Sequence, residues 1–206
     1  MFPYFIIVAI GCSSPAKKPA FQDTEMSAIA IPDIHLLNTD QRLHVRKDGL
    51  VEYNDILYSG YLESFFRNGQ LKLRQGYIDG RPEGEHIKKD STEQFLERRF
   101  YMNGEKHGNH TGWYPNGQKR FDYLFVQGRS EGCHRKWREN GDLWQEFNFE
   151  AGSQRGLQRV WRSDGKLRAN YIIRENGRRY GMQGIKRCKN IDTKKEQLSS
   201  LTQPQE

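Results

Sequence analysis

Between Gly60 and Gly181 apolar and polar residues alternate in short runs bounded by turn-forming residues. The run GYLESFF leads to RNGQ, then LKLRQGY, then DGRPEG, and related strings follow downstream. Alternation with a period of two predicts half-buried strands, and the runs are too short for helices. The turns RNG, PNG, ENG and SDG place Asn or Asp before Gly, which marks a tight hairpin. A two-residue loop would pair Phe65 with Lys72 and mix the two faces. A three-residue loop, with the Gly left-handed in a bulge, pairs Phe65 with Leu71. It also puts Pro115 where a turn favours proline. The apolar pattern selects this second register, because a slip of one residue exchanges the faces of a strand.

The hairpins repeat. Gly60, Gly84, Gly108, Gly132 and Gly156 are each 24 residues apart. Gly69, Gly117, Gly141 and Gly165 form a second series, and Gly80, Gly104, Gly128 and Gly152 a third. Gly177 and Gly181 extend the lattice after a one-residue insertion near Ile172 and Ile173. Internal periodicity of this length signals a repeat architecture. Four columns are expected to share one face: Phe65, Trp113, Trp137 and Trp161; Gln75, Arg99, Tyr123, Phe147 and Tyr171; Tyr77, Tyr101, Phe125, Phe149 and Ile173; Leu71, Phe95, Lys119, Leu143 and Leu167. The other face carries Lys72, Arg74, Arg120, Asp122, Glu146 and Arg168. The expected fold is all-β: an elongated single-layer antiparallel meander of about five 24-residue hairpin repeats. Glu93 stands where the second repeat should have its mid-turn Gly, so an irregular hairpin is expected there. Gly49 reads as the turn of a half-repeat that opens the array.

The stretches YLESFFRNGQLKLRQGYIDGRPEG, GWYPNGQKRFDYLFVQGRSEG, KWRENGDLWQEFNFEAGSQRG and VWRSDGKLRANYIIRENGRRYG resemble the bacterial variant of the MORN repeat family. The resemblance spans about residues 46 to 184. It implies an accessory, scaffold or interaction protein, and many bacterial members carry an antitoxin label of the YwqK type.

The N-terminus changes that picture. MFPYFIIVAIGCSSPAKKPA has an apolar stretch, small residues and then Cys12, and it resembles a lipoprotein signal with Cys12 as the acylated residue. Ala9 stands where that pattern has Leu, and no Lys or Arg precedes the apolar stretch. The implied organisation is a signal at 1–11, a lipidated Cys and polar tether at 12–41, a repeat array at 42–189 and a polar tail at 190–206. Ala28 to Leu37 is apolar enough to pack on the edge of the array. An acylated Cys12 implies attachment to a bilayer, with an outer-membrane, periplasm-facing address, and fits poorly with neutralising a cytosolic toxin. Without the anchor, the alternative is a cytoplasmic antitoxin-like or regulatory binding protein.

Composition and charge narrow the chemistry. Of 206 residues, 35% are hydrophobic and 12% aromatic, a thin core with too many rings for simple disorder. The net charge of +7 is unevenly spread. Arg155, Arg159, Arg162, Lys166, Arg168, Arg174, Arg178, Arg179, Lys186, Arg187 and Lys189 face only Asp164 and Glu175, so residues 155–189 carry +9 and the rest −2. This basic stretch points to an anionic partner such as a lipid, an acidic glycan or an acidic protein surface. Nucleic acid is disfavoured, because Trp161 and Tyr171 are needed for the core face. No phosphate loop or nucleophile motif is present, so neither an enzyme nor a cofactor is expected. His86, His110 and His134 share one column. Repeats are two strands apart, about 9–10 Å, too far for one metal, so the column reads as a solvated polar ladder and no metal site is expected. Cys133 is placed on the aromatic face, too distant from Cys188 for a disulfide unless the C-terminus folds back.

Overall fold

A computed structural model describes residues 30–184. Cys12, Cys188, Lys186, Arg187 and Lys189 lie outside the described residues. The first strands are β1 (His35–Leu37), β2 (Leu43–Val45), β3 (Val51–Tyr53), β4 (Ile56–Leu57), β5 (Gly60–Phe65) and β6 (Leu71–Ile78). Next come β7 (Arg81–Pro82), β8 (Gly84–Lys89), β9 (Phe95–Met102), β10 (Glu105–Lys106), β11 (Gly108–Trp113) and β12 (Lys119–Val126). The last are β13 (Arg129–Trp137), β14 (Leu143–Glu150), β15 (Ser153–Trp161), β16 (Leu167–Ile173) and β17 (Arg179–Met182). No helix occurs among the described residues. One sheet runs β1-β5-β6-β8-β9-β11-β12-β13-β14-β15-β16-β17, and β2-β3-β4 form a small second sheet. The fold is the expected open meander, not a barrel.

Each repeat contains two different turns. The mid-repeat turn pairs Phe65 with Leu71, Trp113 with Lys119, Trp137 with Leu143 and Trp161 with Leu167. This is the three-residue register, closed in the first repeat by Gly69 N–H donating to Phe66 O at 2.9 Å. Gly69 has φ +83°, a conformation that costs a side-chain-bearing residue about 1–2 kcal/mol. The turn between repeats is a two-residue loop with positive φ at both positions, as at Asp79-Gly80 and Asn103-Gly104. That geometry matches strand twist.

Glu93 does not break the pattern. Lys89 still pairs with Phe95, and Glu93 adopts φ +66° in the same turn. Asp90 Oδ1 holds the loop by accepting from the Thr92 and Gln94 N–H groups and the Thr92 hydroxyl. The expected irregularity is therefore absent, because side-chain hydrogen bonds offset a left-handed Glu. Glu93→Gly should raise stability by about 0.5–1 kcal/mol, since relief of the strain exceeds the added freedom of the unfolded chain. Urea unfolding midpoints measure it, and a lowered midpoint would contradict the strain.

The two ends differ from the middle. Residues 30–41, assigned to the tether, include β1, which lies parallel to β5 and covers its edge. Ile31 Cδ1 fills the space beside Gly76 and Gly84. The Gly49 half-repeat forms its own small sheet, joined to the first repeat by Val51 N–H to Gly80 O and Gly80 N–H to Tyr58 O. Val51, Tyr58, Leu62 and Tyr77 form the buried cluster there. At the far end the inserted residue replaces the two-residue loop with the turn Arg174-Glu175-Asn176-Gly177, closed by Gly177 N–H to Arg174 O at 2.9 Å.

Candidate functional site

The face that carries the rings is built on a seam running through the sheet. Tyr77, His86, Tyr101, His110, Phe125, His134 and Phe149 follow one another with ring centroids 4.5–5.6 Å apart. His86, His110 and His134 are buried, which corrects the reading of a solvated ladder. Each imidazole sits beside a left-handed lattice glycine and turns Nε2 to a carbonyl of the preceding strand: Gly76 O at 2.9 Å, Phe100 O at 2.7 Å and Leu124 O at 2.8 Å. A carbonyl only accepts, so each Nε2 carries the proton and donates. Burial pushes His86 and His110 down to about 4 and lowers His134 as well. The next position in the column is Gln158, whose Nε2 donates to Asn148 O at 3.0 Å. The seam holds the ring face in place.

The ladder slips at Ser64/Phe65, Lys88/Lys89, Gly112/Trp113, Lys136/Trp137 and Val160/Trp161, leaving one residue of the second strand, such as Arg120 or Trp144, without a partner. Each slip inverts the alternation of that second strand, so the histidines share the face of Tyr123 and Phe147, while Trp113 and Trp161 lie on the opposite face, which corrects the expected single face for all four columns. It also moves Cys133 to the opposite face, where it is cross-strand to Asn148 beside the Arg135–Glu146 pair, correcting its placement among the rings.

That opposite face is a ladder of ion pairs. Glu63 accepts from Arg74 at 2.6 Å, Glu85 from Arg98, and Glu146 from both Arg135 at 2.9 Å and Arg159. Burial alone would raise the Glu146 carboxyl, but the two guanidinium hydrogen bonds outweigh it and hold it below the usual range.

Over β9 to β14 the rings and cations enclose a cleft of about 370 Å³. Its walls include Arg99, Lys106, Tyr114, Arg120, Phe121, Tyr123, Phe125, Lys136, Trp137 and Trp144. Phe121 and Tyr123 stack at 4.9 Å, with an interplanar angle of 21°. Arg120 lies 5.3 Å from the Phe121 centroid, Lys106 5.1 Å from Phe125 and Lys136 5.8 Å from Trp144. Phe121 can take its place because position 112 is glycine, where a Cβ would come within 2.3 Å of the ring. Arg99 and Arg120 share one carboxylate, Glu97. Arg99 Nε is buried with no hydrogen-bond partner. Among the described residues Lys106 and Lys136 have no carboxylate within ion-pair distance.

The residues expected to form a basic patch are spread out. Arg159 is bound to Glu146 on the ion-pair face, and Arg168 is exposed at the bulge of β16. Arg155 donates to the Arg174 carbonyl at 2.8 Å. Arg174 covers the Tyr180 ring and Arg179 the Tyr171 ring. Arg162, Lys166 and Arg178 are exposed beside the hairpin turns. Of the expected ring columns, Tyr77 and Phe125 are buried, Tyr101, Phe149, Trp113, Trp137 and Trp161 half-buried, and Phe65 46% exposed. Arg120, expected on the opposite face, instead lines the cleft beside Arg99, a correction that follows from its place in the bulge. Lys106 and Lys136 were not singled out from sequence, because their stretch of chain is near neutral and the acids that balance them there lie largely on the other face or at turns. One further cluster, His44, Glu52 and Asp55, brings three ligand-type atoms within 4.8 Å. Arg46 already pairs with Glu52 at 3.2 Å, so the charge there is compensated. Searches against protein-family models and curated proteins find no match for the chain.

Proposed function

We propose that the chain is a MORN-like repeat module without catalytic activity, anchored by an acylated Cys12 in the bacterial envelope, that binds another envelope component through its ring-bearing face. The observation that carries the binding reading is the cleft, a concave, cation-rich, aromatic surface on an open sheet. Binding sites are commonly concave, largely apolar and set with a few polar groups. The ion-pair face, by contrast, has its charges already matched. The anchor rests on the sequence around Cys12, followed by a tether whose prolines favour extension. An anchored module with a fixed binding face would hold its partner close to the bilayer.

Metabolic labelling with an acyl-chain probe tests the anchor. Wild-type protein should incorporate the probe, and Cys12→Ala should not. A wild-type chain that takes up no label would overturn the anchored reading.

A further inference from the structure

We propose that the cleft over β9 to β14 binds an acidic oligosaccharide, with carboxylates held by Arg99, Lys106, Arg120 and Lys136 and sugar rings packed on Phe121 and Tyr123. The proposal rests on the surface-binding reading above but not on the anchor.

Three observations lead to this ligand class. First, the charged groups lining the cleft are all cationic donors. Four cations line it, and only Glu97, shared between two arginines, opposes them. Lys106 and Lys136 face aromatic rings instead of acids, and Arg99 Nε lacks an acceptor. An anion would supply what these groups lack, as buried donors ordinarily have partners. Second, the cations come from β9, β10, β12 and β13. From β9 to β13 the sheet advances three strands, about 14 Å. Charges spread over that distance suit a chain of anionic units better than one small anion. Third, Tyr123 is stacked between Phe121 and His134 at 4.9 and 4.7 Å, and Arg120 lies over Phe121, so these rings present their edges and leave no free face for a base to stack on. The apolar face of a sugar ring needs only an apolar surface to cover, because its burial is non-directional.

Calorimetric titration of the full chain with a galacturonic acid octamer tests this. Saturable binding that weakens with salt is expected, and the neutral galactose octamer should give none. Lys106→Gln with Lys136→Gln should weaken binding by at least about tenfold, as removal of ligand-facing charges does, without lowering the melting temperature. Lys72→Gln, outside the cleft, should leave binding unchanged. No binding of the acidic octamer, or equal loss in the Lys72 variant, would overturn the proposal. So would tighter binding of a thymidylate octamer, which would assign the cleft to nucleic acid. Anionic vesicles run in parallel separate the two readings. If vesicles bind in a cleft-dependent way and the sugar does not, only the sugar proposal fails. If neither binds, the surface-binding reading falls with it.

Discussion

Acidification from pH 6.5 to 4.5 should remove several kcal/mol of stability, and His86→Gln, His110→Gln and His134→Gln combined should abolish that loss. An unfolded histidine has its ordinary pKa near 6.5, while folded His86 and His110 titrate at about 4 because burial disfavours the imidazolium. Between those values the unfolded chain binds more protons. Stability is therefore fully present above about pH 6.5 and declines as pH falls toward the folded value. Over the stated window His86 and His110 contribute about 2–3 kcal/mol each, with His134 adding in the same sense. Domains of this kind have only about 5–15 kcal/mol in total. The lowered carboxylates Glu63 and Glu146 lose their pairing only below the ordinary carboxylate pKa, so they fall outside the window. His35, raised mainly by its hydrogen bond to Asp33 and then by Glu63, acts in the opposite sense and is common to both proteins. Glutamine is the informative replacement, because Gln158 makes the same type of bond at the same repeat position. Urea unfolding at a series of pH values reads the effect. Parallel pH profiles for the two proteins would show that the histidines do not carry it.

Glu146→Ala should cost about 2–4 kcal/mol. The lost carboxylate is 3% exposed and accepts from Arg135 and Arg159, which are 36% and 20% exposed. Its removal leaves two neighbouring guanidinium groups with no acid between them. Breaking a fully buried pair costs about 3–5 kcal/mol, and partial access of water to Arg135 places this case lower. Denaturant midpoints of the variant and of Glu146→Ala with Arg159→Leu measure it. The double variant should recover part of the loss, because one stranded charge is gone. A single-variant change below about 0.5 kcal/mol, the size of an ordinary surface substitution, would contradict the ladder's importance.

The period, the hairpins and their register were legible because Gly, Asn and Pro mark backbone conformations directly. Phe65 opposite Leu71 follows from turn chemistry and the apolar pattern alone. The histidine column was misplaced because strict alternation was carried from Tyr123 to Lys119, the partner of Trp113, through the bulge at Arg120. One extra residue there inverts the parity, and a column of polar residues then looks solvent-facing. Glu93 failed as a warning for a related reason: Asp90 and Thr92 restrain its loop through side-chain hydrogen bonds that a missing Gly does not reveal. The cleft was hidden because charge was summed along the chain, whereas Glu63, Glu85 and Glu146 stand on one face and Lys106 and Lys136 serve the other. Of the expected ring columns, Tyr123 and Phe125 were read correctly as one face, whereas Trp113 and Trp161 lie on the ion-pair face, beside Phe95 under Arg98 and beneath Arg159.

The turn at 174–177 differs from the earlier junctions between repeats and has the hydrogen bonds of a mid-repeat turn. Upstream junctions such as 79–80 and 103–104 return the chain after two residues, in the geometry that admits a left-handed glycine and an inserted imidazole or amide. The longer loop delivers β17 in plain ladder register, from Ile173 opposite Arg179 to Asn170 opposite Met182, with no such insertion. Gene duplication in 24-residue units could thus lengthen the molecule at any earlier junction and keep the row of rings continuous. Beyond residue 174 an added copy would meet β17, which pairs with β16 without that bulge.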